Sequence, residues 1–120
     1  MSRFFEGAVV AYSNTVKKNL LGVGSNTLAT EGAVSEASAK EMARGAKANL
    51  GVDWALSITG VAGPDGGTPR KPVGTVCFAV AGPGLEWVET KVFSGDRRAI
   101  QEKSAKYALE LLCNKAQVEI

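Results

Sequence analysis

Apolar residues recur at helical spacing in two stretches of the chain. Between Ser35 and Leu50 they fall three or four positions apart, which predicts a helix with one face turned toward a core. The positions on that face are Ala39, Met42, Ala43, Ala46 and Leu50. A final helix is predicted from the Ser94-Gly-Asp-Arg97 segment to about Lys115. Its inward positions are Ile100, Tyr107, Ala108, Leu111 and Leu112.

Strand-forming residues cluster in runs between and before these helices. Residues 4–13 predict a first strand, which a short helix over residues 14–21 follows. Residues 53–59 are largely apolar and are predicted to form a strand whose two faces are both covered. The next strand is predicted over residues 73–81.

The last strand pattern, residues 85–93, follows a Pro83-Gly84 turn and alternates in polarity. Trp87 stands against charges that are expected to point outward, namely Glu86, Glu89 and Lys91. This alternation predicts a hairpin partner at an edge of the sheet. The element order β-α-α-β-β-β-α predicts an α/β fold, with a helix-covered mixed sheet, in a single domain over residues 1–120.

The longest break in this pattern is a loop between Ser57 and Val76 that is dense in glycine and proline. Glycines permit positive φ angles and close approach of the backbone to a ligand, whereas prolines fix φ and stiffen the segment. A flexible linker would use glycine and serine without the prolines. We therefore expect a loop that holds one irregular shape, as binding loops do. An ordinary wide strand connection is the alternative.

This loop matches neither common phosphate-binding motif. No Gly-Lys-Ser/Thr follows at the spacing of a Walker A loop, and the loop leads into a strand rather than a helix. Successive backbone N–H groups in glycine turns can still form a concave anion site. Side chains that could add donors are Thr59, Thr68, Arg70 and Lys71. A second anion site could form at the start of the last helix, beside Arg97 and Arg98, although each arginine alone is more often a solvated surface charge.

Composition narrows the classes of function. The 120 residues carry a net charge of +2, too small for the basic face of a nucleic-acid-binding domain. Two cysteines without metal-ligand spacing, in a chain with no histidine, predict no zinc site. No apolar run approaches the ~20 residues that cross a bilayer. The first residues lack the apolar core of a signal peptide, so a reduced, cytoplasmic protein is expected.

Tyr12 and Lys17 form the second candidate constellation. A tyrosine at a strand end and a lysine in the next helical turn can both point over the same sheet edge. A lysine whose pKa is lowered by burial or nearby cations can act as a general base. The alternative is that Lys17 and Lys18 belong to a solvated helix face.

Several motifs resemble those of one family, in family order. They are Phe5-Glu-Gly-Ala-Val-Val-Ala-Tyr-Ser-Asn14, Lys17, Leu21-Gly-Val23, Gly32-Ala-Val-Ser-Glu36, Ile58-Thr-Gly-Val-Ala-Gly-Pro-Asp-Gly-Gly-Thr-Pro69, Lys71-Pro-Val-Gly-Thr-Val76 and Phe93-Ser-Gly-Asp-Arg97. The set resembles the C-terminal domain of the CinA family, the competence- and damage-inducible proteins. The resemblance implies a three-layer α/β/α sandwich and a homodimer. It also implies hydrolysis of nicotinamide mononucleotide to nicotinic acid mononucleotide and ammonia, with no metal and no cofactor.

The resemblance also implies roles for individual residues. Tyr12 and Lys17 match the catalytic tyrosine and lysine of the family. The nucleotide would be held by residues of the glycine loop and by one arginine, namely Thr59, Gly60, Ala62, Gly63, Gly66, Gly67, Thr68 and Arg97. The loop would also supply backbone donors near the reacting carbonyl, and Arg97 would meet the phosphate.

The serine nucleophile of the family lies in a Glu-Ser-Cys-Thr-Gly-Gly segment upstream of the position that is Met1 here. Three interpretations follow. The chain is truncated relative to a longer protein, or it serves in binding or assembly, or another hydroxyl (Ser13, Ser57 or Thr59) attacks instead. The function hypotheses are accordingly a nicotinamide-nucleotide amidohydrolase domain and a non-catalytic nucleotide-binding or oligomerising module.

Overall fold

The fold was determined as a computed structural model, which describes residues 24, 32, 34–61, 67–69 and 71–116. The helices are α1 (Glu36–Leu50) and α2 (Arg97–Ala116). The strands are β1 (Ala55–Gly60), β2 (Thr75–Gly82) and β3 (Leu85–Val92). The strand predicted over residues 4–13 and the helix predicted over 14–21 lie outside the described residues.

The described strands form one sheet in the order β1-β2-β3, and both pairings are antiparallel. Thr59 lies opposite Cys77, which in turn lies opposite Thr90. β3 is an outer strand of this sheet, as the alternation of its sequence predicted. The expected mixed sheet needs a parallel pair, and only strands outside the described residues could supply it.

The central strand β2 separates two helical layers. Its large even-numbered residues pack with α2, in a cluster formed by Val76, Phe78, Val80, Ile100, Ala108 and Leu111. Its small odd-numbered residues pack with α1, in a cluster formed by Ala39, Ala43, Cys77, Ala79 and Ala81. Because successive side chains of a strand point to opposite faces, the two helices cover opposite faces of the sheet. The described residues therefore form an α/β/α sandwich.

Both ends of α1 are capped as the sequence predicts. Ser35 has extended backbone angles, and its hydroxyl accepts a hydrogen bond of 3.0 Å from the Ser38 N–H. Gly51 ends the helix with a φ of 63°, in the left-handed region that glycine tolerates best. Its N–H donates to the carbonyl of Lys47. The predicted helix over residues 35–50 is thus confirmed.

The expectation that residues 53–59 form a strand covered on both faces is wrong. β1 alternates in burial, and the Ile58 side chain on its α2 face is 39% exposed. The strand with two covered faces is β2, whose eight residues are all buried. The reason is position: β2 has strands on both sides, whereas β1 is an outer strand of the described sheet.

The charges of β3 do not all point the same way, which corrects the predicted alternation. Glu86 lies on the α1 face, where it pairs with Arg44 and, at 3.6 Å, with Lys40. Glu89 shares the other face with Trp87 and accepts hydrogen bonds from the Trp87 indole N–H, at 2.8 Å, and from the Tyr107 hydroxyl. The two-residue period of a strand requires this, since positions 87, 89 and 91 share one face.

The Tyr107–Glu89 hydrogen bond couples the two pKa values. The bond and burial raise the pKa of Tyr107 from 10.0 to about 12. Burial raises the pKa of Glu89, but hydrogen bonds from Tyr107 and Trp87 lower it by more, so the net shift is downward. The Tyr107 ring also packs edge-on against Phe78, with 5.0 Å between ring centroids.

Ser38 and Ser57 present a contrast inside the interface between α1 and the sheet. The Ser57 hydroxyl donates to the Ala39 carbonyl at 2.6 Å. The Ser38 hydroxyl is fully buried and has no hydrogen-bond partner among the described residues. A buried hydroxyl without a partner destabilises the fold, whereas a satisfied one contributes about 1 kcal/mol.

We expect Tyr107→Phe to lower the free energy of unfolding by about 1 kcal/mol at neutral pH. Because the pKa of Tyr107 is raised in the fold, its hydroxyl stabilises the fold fully below pH 10.0. This stabilisation is lost as the pH rises toward 12. Because the pKa of Glu89 is lowered in the fold, its carboxylate stabilises the fold fully above the ordinary glutamate pKa of 4.5. This stabilisation is lost as the pH falls through the lowered pKa. Urea unfolding across pH should show both losses, and Glu89→Gln should abolish the acid one. A difference between Tyr107→Phe and the wild type that is independent of pH would contradict this.

We expect Ser38→Ala and Ser57→Ala to change stability in opposite directions. Ser38→Ala removes an unsatisfied hydroxyl and places a better helix former in α1, so the free energy of unfolding should rise by about 1 kcal/mol. Ser57→Ala leaves the Ala39 carbonyl without this donor and should lower the free energy of unfolding by about 1 kcal/mol. The two substitutions delete the same atom, which makes each the control of the other. Denaturant midpoints that shift in the same direction would refute the assignment.

Candidate functional site

The glycine loop leaves β1 and returns to β2 between Val61 and the Gly74–Thr75 pair. Backbone hydrogen bonds join these residues, and we call them the closed neck of the loop. The Val61 N–H donates to the Thr75 carbonyl at 2.9 Å, and the Gly74 N–H donates to the Val61 carbonyl at 2.7 Å. These bonds continue the β1–β2 ladder by one step beyond the strands. The neck therefore fixes where both limbs of the loop start.

The returning limb of the loop is folded into a second turn. The Thr68 N–H donates to the Lys71 carbonyl at 2.9 Å, and the Lys71 N–H donates to the Thr68 hydroxyl at 3.0 Å. Gly67 packs so closely on this limb that a Cβ there would lie 2.7 Å from the Val73 nitrogen. Hydrogen bonds and close packing thus hold the described part of the loop in one shape, as its composition predicts.

Both helices begin at the end of the sheet that carries this loop. Glu36 in the first turn of α1 accepts a 2.7 Å hydrogen bond from Thr90, near the end of β3. The Phe93 N–H, just after β3, donates to the Gly74 carbonyl at 2.9 Å, four residues before α2 starts at Arg97. We call this region, formed by the neck, the start of α1 and residues 93–97, the loop end. Helix N-termini carry partial positive charge, so their shared location favours an anion.

Two predicted site residues lie where β1 meets the loop. Thr59 is buried, 7% exposed, on the α1 face beside Cys77. Gly60 is exposed, and a Cβ there would lie 2.9 Å from a methyl group of Val76. Glycine is therefore required at position 60 by packing against β2, and its backbone stays open to solvent.

The remaining predicted residues divide into described and undescribed positions. Gly67 and Thr68 are exposed in the folded limb of the loop, and Arg97 is exposed as the first residue of α2. Of the described predicted binding residues, Thr59 and Gly60 therefore lie beside the neck, Gly67 and Thr68 in the folded limb, and Arg97 at the start of α2. Predicted positions outside the described residues are Tyr12, Lys17, Ala62, Gly63 and Gly66.

Two residues at the loop end were missed by sequence reasoning. Gly74 links the neck to β3; it stands in the Lys71-Pro-Val-Gly-Thr-Val76 motif, directly before an apolar strand, but the sequence assigned it no role of its own. Glu36 was interpreted as the opening of a helix, but its carboxylate also ties α1 to Thr90.

Lys71 was predicted as an anion donor. Its ammonium nitrogen lies 3.4 Å from the place that a Cβ on Gly32 would occupy. Its half-buried side chain therefore joins the loop to the chain just before α1.

Neither the Ser57 hydroxyl nor the Cys77 thiol, beneath the loop end, is activated for attack. The Ser57 hydroxyl is engaged with the Ala39 carbonyl and is only 6% exposed, which weighs against Ser57 as a substitute nucleophile. Burial raises the pKa of the Cys77 thiol by more than its hydrogen bond with Thr90 lowers it. Cys77 is therefore a protonated thiol at neutral pH and a weak nucleophile.

Two further features bear on the kind of site. Within residues 34–61, 67–69 and 71–116, no three cysteine or acidic side chains converge as a metal-ligand set. Neither α1 nor α2 combines the length and the apolar character that crossing a bilayer requires. The described loop end carries backbone N–H groups, hydroxyls and basic side chains, together with the carboxylates of Glu36 and Asp96, which accept hydrogen bonds from Thr90 and from the Ala99 N–H.

Comparison with known proteins places the chain in a family. The family of the CinA C-terminal domain matches residues 1–116. A nicotinamide-nucleotide amidohydrolase PncC from Shigella flexneri is 50% identical over 114 residues, covering 92% of this chain and 68% of the relative. A CinA-like protein from Syntrophotalea carbinolica is 52% identical over 111 residues, covering 92% of this chain and 27% of the relative. The chain thus spans about a quarter of the length of that relative.

Solved structures agree with the sequence match. A CinA superfamily protein from Enterobacter cloacae superposes with a TM-score of 0.85 at 38% identity, covering 89% of this chain and 63% of that one. The competence damage-inducible protein A from Klebsiella pneumoniae gives a TM-score of 0.83 at 40% identity, covering 88% and 66%. The chain belongs to the CinA C-terminal domain family.

Proposed function

We propose that this domain binds nicotinamide mononucleotide at the loop end and takes part in hydrolysis of its amide to nicotinic acid mononucleotide and ammonia. The observation that carries the proposal is the closed neck of the glycine loop beside the start of α2, in a chain 50% identical over 114 residues to a nicotinamide-nucleotide amidohydrolase. A small anionic nucleotide suits a site made of backbone donors and basic side chains.

The phosphate half of the ligand is assigned to Arg97. A guanidinium at the first position of α2 adds a full positive charge to the partial charge of the helix N-terminus. Asp96 caps this helix by accepting from the Ala99 N–H at 2.9 Å, which fixes the first turn on which Arg97 stands. Charge-assisted hydrogen bonds to phosphate are among the stronger polar contacts available to a protein.

The amide half is assigned to the glycine loop. Attack on the amide carbon turns its carbonyl into an oxyanion, which preorganised backbone N–H donors stabilise. The hydrogen-bonded neck and the Thr68–Lys71 turn hold the described part of the loop in place before the ligand arrives. In this reaction the serine of the family's Glu-Ser-Cys-Thr-Gly-Gly segment, which is not among the 120 residues, would attack the amide carbon while Lys17, assisted by Tyr12, takes its proton. Lys17 would pass that proton to the leaving nitrogen, which departs as ammonia, and water would then hydrolyse the acyl-serine to nicotinic acid mononucleotide and free serine.

A second candidate function is nucleotide binding or assembly without turnover. The observation that favours it is that two buried groups beneath the loop end, the Ser57 hydroxyl and the Cys77 thiol, are not activated. A homodimer belongs to either proposal. The two functions predict the same ligand and differ only in the release of ammonia.

We expect Arg97→Ala to weaken binding of nicotinamide mononucleotide by about tenfold, because it removes a charge-assisted contact with the phosphate. Arg98→Ala is the matched control, since the Arg98 guanidinium pairs with Glu102 at 3.1 Å along the helix surface. Isothermal titration calorimetry of both variants, with nicotinamide riboside as the ligand that lacks the phosphate, measures the effect. Equal losses in the two variants would show that Arg97 acts only through net charge.

Ammonia release separates catalysis from binding. If the 120-residue chain is catalytic, incubation with nicotinamide mononucleotide should release ammonia, and Lys17→Ala should reduce the rate at least about a hundredfold through loss of the base. Lys18→Ala changes the neighbouring charge and should leave the rate unaltered. Saturable binding without ammonia would favour the binding module. Equal rates for Lys17→Ala and the wild type would remove Lys17 from the mechanism.

A further inference from the structure

Gly74 makes backbone hydrogen bonds in two directions at the loop end. Its N–H donates to the carbonyl of Val61, at 2.7 Å, on the outgoing limb of the loop. Its carbonyl accepts from the N–H of Phe93, at 2.9 Å, where β3 has ended. One buried residue therefore joins the glycine loop to the segment that leads into Arg97.

The contact between Gly74 and Phe93 leaves no room for a side chain. Gly74 has a φ of 99°, and a Cβ there would lie 2.0 Å from the Phe93 carbonyl oxygen and 3.1 Å from its carbonyl carbon. Both obstacles are backbone atoms, which cannot rotate away as a flexible side chain can. Any other residue at position 74 must therefore push residue 93 away from the neck.

The segment from Phe93 to Arg97 is anchored so that such a displacement reaches the arginine. The Phe93 ring packs edge-on against Phe78 and Tyr107, with ring centroids 6.3 Å apart in each pair. The Lys103 ammonium, within α2, donates to the Ser94 carbonyl at 2.6 Å. Because Phe93 is packed on the core, Ser94 is bonded to Lys103 of α2 and Asp96 caps α2, a shift at residue 93 is transmitted to the first turn of α2.

We propose that Gly74 is a positioning residue that sets the distance between the glycine loop and Arg97. The inference rests on the proposed function, in which the loop takes the amide end of the nucleotide and Arg97 takes the phosphate. A fixed span between the two would select a nucleoside monophosphate over the same nucleoside without phosphate. The clash at position 74 falls on the Phe93 side, so the Val61 side of the neck keeps its hydrogen bond.

Gly84 provides a matched control for Gly74→Ala. It also has a positive φ, of 68°, in the turn between β2 and β3, but a Cβ there would have nothing within 4 Å. Gly84→Ala therefore brings the backbone strain of an alanine at positive φ without the displacement. A difference between the two variants reports the contact with Phe93.

The test measures binding of nicotinamide mononucleotide and of nicotinamide riboside to the full chain by calorimetry. Gly74→Ala should weaken binding of the mononucleotide by about tenfold and leave the riboside within about twofold, whereas Gly84→Ala should change neither. In an Arg97→Ala background, Gly74→Ala should have no further effect on the mononucleotide. Such non-additivity is not expected of a residue that only stabilises the fold.

A gentler variant keeps the test decisive if Gly74→Ala does not fold. Lys103→Ala removes the exposed contact with the Ser94 carbonyl and should give a smaller, about threefold loss that is again confined to the mononucleotide. Lys106→Ala removes the same charge from the same helix and serves as its control.

Two kinds of negative result are distinguishable. If the wild-type chain binds the mononucleotide while Gly74→Ala and Lys103→Ala bind it equally well, or lose the riboside to the same degree, the positioning role is overturned and the proposed function stands. If the wild-type chain binds neither ligand, the proposed function fails, and the inference falls with it.

Discussion

The burial of β2 on both faces is the constraint on which the rest of the structure depends. Its small odd-numbered residues let the alanine stripe of α1 approach closely, and its large even-numbered residues fill the space under α2. A strand that is apolar on both faces is stable only with both layers in place. The register of strand pairing then fixes which residues of β2 face which helix, because a shift by one residue would exchange the two faces. The positions of both helices follow from this one strand.

The same register decides where polar groups gather. Because Glu36 is tied to Thr90 and Arg44 to Glu86, α1 begins beside the end of β3 and runs back toward its start. The link between Phe93 and Gly74 brings the start of α2 to the same end of the sheet. Two helix N-termini, one on each face of the sheet, and the neck of the glycine loop thus lie at one end of the sheet. The proposed anion site at this end would follow from the topology together with the loop sequence.

Much of this could be predicted from the sequence, for reasons that particular residues show. Ser35 and Gly51 bound α1 because capping is local, and the Pro83-Gly84 turn was readable for the same reason. The two-residue period of β3 places Glu89 on the same face as Trp87, so its facing was predictable, whereas the exposure of Ile58 depends on where β1 lies in the sheet. The packing of Gly74 was not predictable, because it depends on a contact with Phe93, which lies 19 positions away in the sequence.

The described groups of the loop end are better suited to binding a ligand than to nucleophilic attack on it. Its described groups are donors on fixed backbone, whereas the Ser57 hydroxyl is engaged and the Cys77 thiol is protonated. Donors fixed before the ligand arrives lower the reorganisation that the transition state requires, but they need a nucleophile aimed at the same carbon. In the proposed reaction, catalysis would therefore depend on how accurately the loop end presents the amide, and the proposed span between the loop and Arg97 would maintain that geometry. In this view the residues that fix the geometry of the loop end, Gly74 among them, matter to the reaction as much as the residues that touch the ligand.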